Sequence, residues 1–449
     1  MDILALLVCL HPWVTLTTIR QLSRITFALL VMTGRVTMLG LARWSGAGGS
    51  YRTVQRFFAT AIPWAPVFWC FFRQHLFQAE DVYLLAGDEV VVPKAGKQTF
   101  GLDRFFSGLA QKPVPGLAFF SLALVSTTER RAFPLCLEQV VRTDAEKAAS
   151  KANAATRKPQ APAAKRKPGR PKGSTNQPKA DVPLSPELQR IQGWVQALLR
   201  LIAGLLPLTY LVLDGHFGNR PTYHMARQCG LHLISKLRSD AALYRPYDGP
   251  YQGRGPHRKY GEKLDYRNLP DAYLQQISEA DGIETRIYQA DLLHREFAQP
   301  LNVVILEQVN LTTQARAHVL LFSSDLTLPY GQLITYYSLR FQIEFVFRDA
   351  KQFWGLDDFM NVTATAVTNA ANLALFMVNL VYVLLRERRR QDPHCSVLDL
   401  KAECRGYKYV LETIKLLPEP PDEDLIAELF RQVASLGRIH PAEPHRNAA

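Results

Sequence analysis

Read by the alternation of apolar and polar positions, the chain divides into blocks of different period. Residues 1–78 carry helical spacing and no strong strand signal. Between 82 and 142 the pattern shortens to β-rich runs, "VYLLAGDEVVVP", "LAFFSLALVS" and "AFPLCLEQVVR". Apolar positions then vanish until "SPELQRIQGWVQALLRLIAGL", a helix that Ser185 can cap and whose first turn holds Glu187. The buried strand "LTYLVLDG" follows and ends at Asp214, and 232–238 reads as another strand. From about 240 to 326 turns give way to the strands "TRIYQADLL", "LNVVILEQV" and "AHVLLFSS". A helix beginning near 330, a long apolar helix and a mostly helical tail complete the chain, which has no internal repeat.

The helix that contains "YYSLRFQIEFVFRDAKQFWGL" has two faces. Leu339, Ile343, Val346, Ala350 and Trp354 form an apolar stripe. Beside it, Tyr337, Arg340, Glu344 and Lys351 fall within an arc of about 60° on a continuous helix at roughly 100° per residue. One face suits packing; the other presents a phenol, a guanidinium, a carboxylate and an ammonium in a row.

Near the start, "RVTMLGLARWSGAGGSYRTVQRFFA" reads as helix, Gly-rich turn and second helix, with Ser50 as N-cap. Arg52 and Arg56 stand at i, i+4 on the second helix. That is compatible with a helix-turn-helix DNA reader and equally with two packed helices carrying solvated arginines.

Two apolar runs invite a membrane reading. "ILALLVCL" at 3–10 is short, follows Asp2 and lacks a basic flank, so a buried helix is expected rather than a signal peptide. "AVTNAANLALFMVNLVYVLL" at 366–385 is long enough to span a bilayer but contains Asn369, Asn372 and Asn379, which favours a core helix.

Charge narrows the partners. The 449 residues carry a formal charge of +13, with 47% hydrophobic and 21% charged residues, which points to a globular protein that meets a polyanion. The six cysteines, at 9, 70, 136, 229, 395 and 404, contain no CxxC pair. That argues for a reducing cytoplasm and against a disulfide framework or zinc cluster. From Lys147 to Lys179 there are ten Lys or Arg and no Asp or Glu, in an Ala- and Pro-rich stretch without aromatic residues. This composition cannot build a core and is expected to be a disordered basic linker.

Candidate chemistry comes from carboxylates at the ends of buried strands. Asp88 sits in "LLAGDEVVV" and Asp214 ends "YLVLDG"; an Asp in such a place is costly unless paired or metal-bound. With Glu344 on a helix that packs on the sheet, three carboxylates can converge at one sheet edge and bind Mg²⁺ or Mn²⁺. Two such ions can activate a water or a 3′-hydroxyl and stabilise the leaving oxygen of a phosphodiester. Taken singly, each residue has a plainer reading. Asp214-Gly215 can be a turn, Asp88-Glu89 can cap a bulge, and Arg340, Glu344 and Arg348 can form i, i+4 ion pairs. Together with the charge and the one-face array, the functional reading is the stronger.

The helix array reads Tyr337-x2-Arg340-x3-Glu344-x6-Lys351 and resembles, at every spacing, the Tyr-Arg-Glu-Lys signature of DDE transposases of bacterial insertion sequences, the insertion-sequence-four type. Asp88 and Asp214 resemble that family's two catalytic aspartates. The resemblance implies an α/β (α+β) fold, a ribonuclease-H-like mixed sheet flanked by helices, with a β-rich insertion and a helical N-terminal domain. It implies that Asp88, Asp214 and Glu344 hold two Mg²⁺ or Mn²⁺ ions, and that Tyr337, Arg340 and Lys351 contact phosphates of the transposon end. The basic residues Arg52, Arg56, Lys94, Lys97 and Arg170 are further candidate DNA contacts. The partners implied are double-stranded DNA, as inverted-repeat ends and target, and a second copy of the chain in a homodimer; neither a membrane nor a small-molecule substrate is expected.

The expected organisation is a helical DNA-binding domain at 1–78, a catalytic core from 79–142, 180–239 and 327–390, a basic linker at 143–179, a β-rich insertion at 240–326 and a helical tail at 391–449. Three features depart from the family pattern. No Trp lies between 214 and 344 to hold a flipped base, so Tyr244, Tyr247 or Tyr251 substitutes or the hairpin route is not used. The basic linker falls where compactness is expected. Within it "KRKPGRPKGS" resembles an AT-hook around Gly169-Arg170-Pro171, but Pro168 replaces the usual Arg, and a plain basic tether explains it equally. The function expected is cut-and-paste transposition; a catalytically silent DNA-binding derivative and a structure-selective nuclease on the same fold are the rivals.

Overall fold

The computed structural model describes residues 2–46, 48–108, 110–148, 182–202, 204–251, 253, 257–419 and 421–440. Most of the basic linker, the AT-hook-like stretch and Arg170 therefore lie outside the described residues.

The long apolar runs form one twelve-stranded sheet. Its centre is β1 (Tyr83–Pro93), antiparallel to β3 (Lys112–Ser126) and parallel to β5 (Tyr210–Val212), which is parallel in turn to β6 (His232–Leu237). β4 (Arg131–Val140) and the short β2 (Asp103–Ser107) pair with β3. Antiparallel β3–β1 joined to parallel β1–β5–β6 makes the mixed sheet of a ribonuclease-H-like core. The β-rich segment does not form a separate layer. β12 (Arg316–Ser323) pairs antiparallel with β6, then β11 (Leu301–Asn310), β10 (Ile283–His294), β7 (Leu243–Pro246) and β8 (Tyr260–Lys263) extend the same sheet, with β9 (Leu274–Ala280) on β10. An edge strand of the core is thereby covered rather than left open to pair with other chains.

The N-terminal block is helical throughout: α1 (Ile3–Leu7), α2 (Leu16–Val31), α3 (Met38–Trp44), α4 (Tyr51–Ala59) and α5 (Trp64–His75). Ser50 caps α4 by accepting from the Thr53 amide at 3.3 Å, as its position predicts. Ser185 likewise caps α6 (Pro186–Ile202), at 3.2 Å from the Leu188 amide. Trp194 of α6 stacks on Phe120 of β3, and α7 (Arg220–Gln228) packs on β6.

Where one helix is expected from 330, the chain makes two, α8 (Tyr330–Leu339) and α9 (Gln342–Trp354). Arg340 and Phe341 keep right-handed helical dihedrals, so nothing in the residue types announces a break. The hydrogen bonds tighten instead to i→i−3, from Arg340 to Tyr337, Phe341 to Ser338, Ile343 to Arg340 and Glu344 to Phe341. Tyr337 thus sits on α8, Glu344 and Lys351 on α9, and Arg340 at the join, which corrects the single 60° arc. The apolar stripe is as expected: Leu339, Ile343, Val346, Ala350 and Trp354 are all buried.

The long apolar segment is α10 (Ala364–Arg388), and its most apolar stretch is 83% buried inside the protein. Its three asparagines serve the interior. Asn369 accepts from the Trp64 indole at 2.8 Å and donates to the Phe58 and Thr60 carbonyls at 2.9 and 2.7 Å. Asn372 and Asn379 each donate at 3.0 Å to carbonyls of β4, Leu137 and Pro134, beside the register shift in its pairing with β3. A strand irregularity leaves such carbonyls without ladder partners, and the amides supply them. The tail helices are α11 (Val397–Ile414) and α12 (Glu423–Ser435).

Candidate active site

β1 carries Asp88 into a cleft of about 1040 Å³ that Asp214 and Glu344 also line. Successive residues of a strand face opposite ways. Gly87 points away from Asp88, where a Cβ would stand 2.7 Å from Phe120 and 2.9 Å from Leu213, so only glycine lets β1 lie this close to the packing behind it. Asp214 follows β5 directly and caps a short 3₁₀ turn, Gly215–Phe217, accepting from the His216 amide at 3.1 Å. Its backbone is fixed from β6, where the Ser235 hydroxyl donates to the Asp214 carbonyl at 2.7 Å. The turn reading of Asp214-Gly215 is therefore correct, and it aims the carboxylate into the cleft rather than competing with a functional role. Glu344 lies in the first turn of α9, where the helix dipole favours a carboxylate.

Arg340 ties the first and third of these acids together. One guanidinium nitrogen donates to Asp88 Oδ2 at 2.9 Å and the other to Glu344 Oε1 at 3.2 Å, with the Arg340 side chain 12% exposed. Its Nε is buried and has no hydrogen-bond partner among the described residues. Asp88 nevertheless has its pKa raised to about 6. Burial outweighs the help it receives from Arg340 and the Glu89 amide, and the charges of Asp214 and Glu344 push the same way. Burial also raises the Tyr337 hydroxyl, against the nearby Arg340 and with the charges of Asp214 and Asp88. Asp88 and Tyr337 are thus both within reach of the Asp214 and Arg340 charges.

The donor set fits a divalent cation. Three carboxylates are hard oxygen ligands, and the charges of Asp214 and Glu344, which add to burial in raising Asp88, are what such an ion would relieve. Among the described residues no three acidic, histidine or cysteine groups stand at metal-ligating spacing, and Arg340 bridges Asp88 and Glu344.

The other candidate contacts divide. The Lys351 ammonium donates to the Val91 carbonyl at 3.0 Å and lies 3.7 Å from Asp357, at the cleft wall. Lys94 is held by backbone carbonyls of the protein itself. Its ammonium donates to the Asp357 and Phe359 carbonyls at 3.1 and 2.8 Å and sits 3.6 Å from the Phe359 ring centre. Burial lowers its pKa to about 8, and its carbonyl bonds clip the segment after α9 to the end of β1. Lys97, Arg52 and Arg56 are exposed, and none of them lines the cleft.

Residues that the sequence did not single out complete the cleft. Glu89 faces the opposite way from Asp88, toward Glu187 and His216, with Arg142 beside them. The cleft walls and the Glu187 charge raise the Glu89 carboxyl to about 6, against the pull of Arg142 and His216. Arg348 and Phe106 line the cleft as well. Glu187 was visible as a helix-start acid and Glu89 as a neighbour of Asp88, but no spacing rule joins residues from β1 and α6. The cleft is therefore lined by successive residues of β1, Asp88 and Glu89, whose side chains leave the strand on opposite faces.

A comparison with curated proteins gives no match. A family profile described as DDE superfamily endonuclease matches residues 9–296, a span that contains Asp88 and Asp214 and ends before Glu344. That span is more than half of a chain with a mixed sheet flanked by helices, and the protein belongs to the DDE superfamily endonucleases.

Proposed function

We propose that this endonuclease is a transposase of the insertion-sequence-four type, which cuts DNA at inverted repeats and joins the freed 3′-hydroxyl to target DNA. The observation that carries the reading is the meeting of Asp88, Asp214 and Glu344 on one cleft, with Arg340 between two of them. The Tyr337-Arg340-Glu344-Lys351 spacing lies outside the matched span and adds support independent of it.

In this reading Asp88, Asp214 and Glu344 would hold two Mg²⁺ or Mn²⁺ ions, whose Lewis acidity would serve the attacking and leaving oxygens of a phosphodiester. Arg340, released from the carboxylates, takes a phosphate oxygen bidentately, and Lys351 adds a point charge. Tyr337 donates its hydroxyl to the same backbone. Arg52 and Arg56 on α4, Lys97 and the basic stretch 147–179 add phosphate contacts along the duplex, bound by a homodimer.

The test is incubation with Mg²⁺ and DNA carrying the inverted repeats that flank the gene. Cleaved ends together with joined products support transposition. Cleavage without joining supports a nuclease, and binding without cleavage supports a silent derivative.

A further inference from the structure

The helical N-terminal block carries charge of one sign. From Ile3 to Ala79 there are seven arginines, no lysine and no Asp or Glu. All seven arginines are exposed. A surface of this kind attracts a polyanion.

Within the block, α4 is fixed on one side and bare on the other. Its Val54, Phe57 and Phe58 are buried. The Asn369 amide takes the Phe58 and Thr60 carbonyls at 2.9 and 2.7 Å, which pins the end of the helix to α10. The turn before the helix is pinned as well. Arg24 donates to the Gly48 carbonyl at 2.7 Å, and a Cβ on Gly48 would stand 2.5 Å from that guanidinium. The outer face holds Tyr51, Arg52, Gln55, Arg56 and Ala59, all exposed. No hydrogen bond or ion pair ties the side chains of Tyr51, Arg52, Gln55 or Arg56 to another described residue. A helix anchored at both ends thus presents a polar face that the protein itself does not use.

At about 100° per residue, Gln55 and Ala59 fall in the middle of this face, with Tyr51 on one flank and Arg52 and Arg56 on the other. An α-helix fits the major groove of duplex DNA, where arginines on a flank reach phosphates and a central side chain reaches base edges. A glutamine amide in that place pairs with the N7 acceptor and N6 donor of adenine. Ala59, one turn further, puts no bulk between the helix and the bases.

We infer that Gln55 is a specificity-determining residue that reads an adenine in the major groove of the end DNA. The inference rests on the DNA-cutting reading and adds to it a residue that chooses the sequence. Arg52 and Arg56 stay on the phosphates and hold α4 in register. Gln55 does not line the carboxylate cleft, so it positions the DNA and takes no part in the chemistry.

The test is binding of inverted-repeat DNA without divalent ions, on duplexes in which 7-deaza-adenine replaces each adenine in turn. That base keeps its Watson–Crick pairing and loses only the N7 acceptor. A good bidentate base contact discriminates by about fivefold to 150-fold. Wild-type protein should lose about fivefold or more in affinity at one position. Gln55→Ala should show that loss on unmodified DNA, lose nothing further at that position, and keep its affinity for unrelated DNA. Gln55→Arg should come to prefer guanine there. Arg52→Ala and Arg56→Ala should instead weaken binding to all sequences alike, each lowering the salt slope by about 0.9. Exposed residues leave little mark on stability, so all variants should melt together. A flat 7-deaza-adenine profile in the wild type would overturn the inference, as would a Gln55→Ala variant that keeps the wild-type affinity and profile. Either result leaves the carboxylate site standing. Failure of the transposase reading shows separately, as wild-type protein that keeps the base profile but does not cut end DNA with Mg²⁺.

Discussion

Arg340 bonds to Asp88 at 2.9 Å from a position 252 residues later in the chain, and the same guanidinium reaches Glu344 at 3.2 Å. A single positive group therefore does for two of the three acids what a divalent cation would do. An ion held by Asp88 Oδ2 and Glu344 Oε1 would compete with Arg340 for those oxygens. Arg340→Gln should consequently bind Mn²⁺ about tenfold more tightly in the absence of DNA, read by calorimetric titration. It should also cut end DNA about a hundredfold more slowly, because the scissile phosphate loses its guide. Unchanged or weaker Mn²⁺ binding would show that the bridge does not oppose metal.

Asp88 supplies a pH dependence. Its carboxyl, held near 6 by burial, accepts a cation only when ionised, so cleavage should rise about tenfold per unit below pH 6 and level off above it. The folded chain takes up this proton before the unfolded chain, whose Asp ionises near 3.9. Stability from this group is therefore present below about pH 4 and lost as pH rises through 6. Asp88→Asn should abolish cleavage and flatten that part of the stability profile, measured by urea unfolding at pH 5 and pH 7.

Lys94 and Lys97 look alike in sequence and should behave oppositely. Lys94→Ala removes donors from the Asp357 and Phe359 carbonyls and should cost about 1–2 kcal/mol of stability without changing the salt slope of DNA binding. Lys97→Ala should leave the melt unchanged and lower that slope by about 0.9. A lower slope in the Lys94 variant would return it to the DNA surface.

The asparagines of α10 give a stability series. Asn369 bonds the Trp64 indole and the Phe57, Phe58 and Thr60 carbonyls through both ends of its amide, so Asn369→Leu should destabilise by about 3 kcal/mol. Asn379 donates once, and its Oδ1 is buried without a partner. Replacing it by Leu removes an unsatisfied oxygen along with a donor, and should cost about 1 kcal/mol. Equal losses in urea unfolding would contradict this accounting.

The sequence was legible where one side chain answers to one environment. The runs of β1, β3 and β11 are buried on both faces and read directly as strands. β9, "LQQISEA", was not read as a strand because six of its seven residues are exposed and no apolar period marks it. The join of α8 and α9 left no signal, since Arg340 and Phe341 stay helical while only the hydrogen-bond step changes. Asp88 and Asp214 stood out because a carboxylate in a buried run is costly. The capture of Lys94 did not, because its partners are backbone carbonyls more than 260 residues away, and no side-chain pattern encodes a carbonyl. Glu89 was hidden beside Asp88 for the reason that makes it interesting: it belongs to the other face of the strand.

The central claim is that Asp88, Asp214 and Glu344 act as one catalytic unit. The most direct measurement is the rate of Mg²⁺-dependent cleavage of end DNA by Asp88→Ala, Asp214→Ala, Glu344→Ala and the triple variant, alongside their affinity for the same DNA. The account predicts that each single change abolishes cleavage as completely as the triple one, as residues acting as a unit do, while binding persists. Substantial cleavage by any single variant, above all Asp214→Ala, would contradict it.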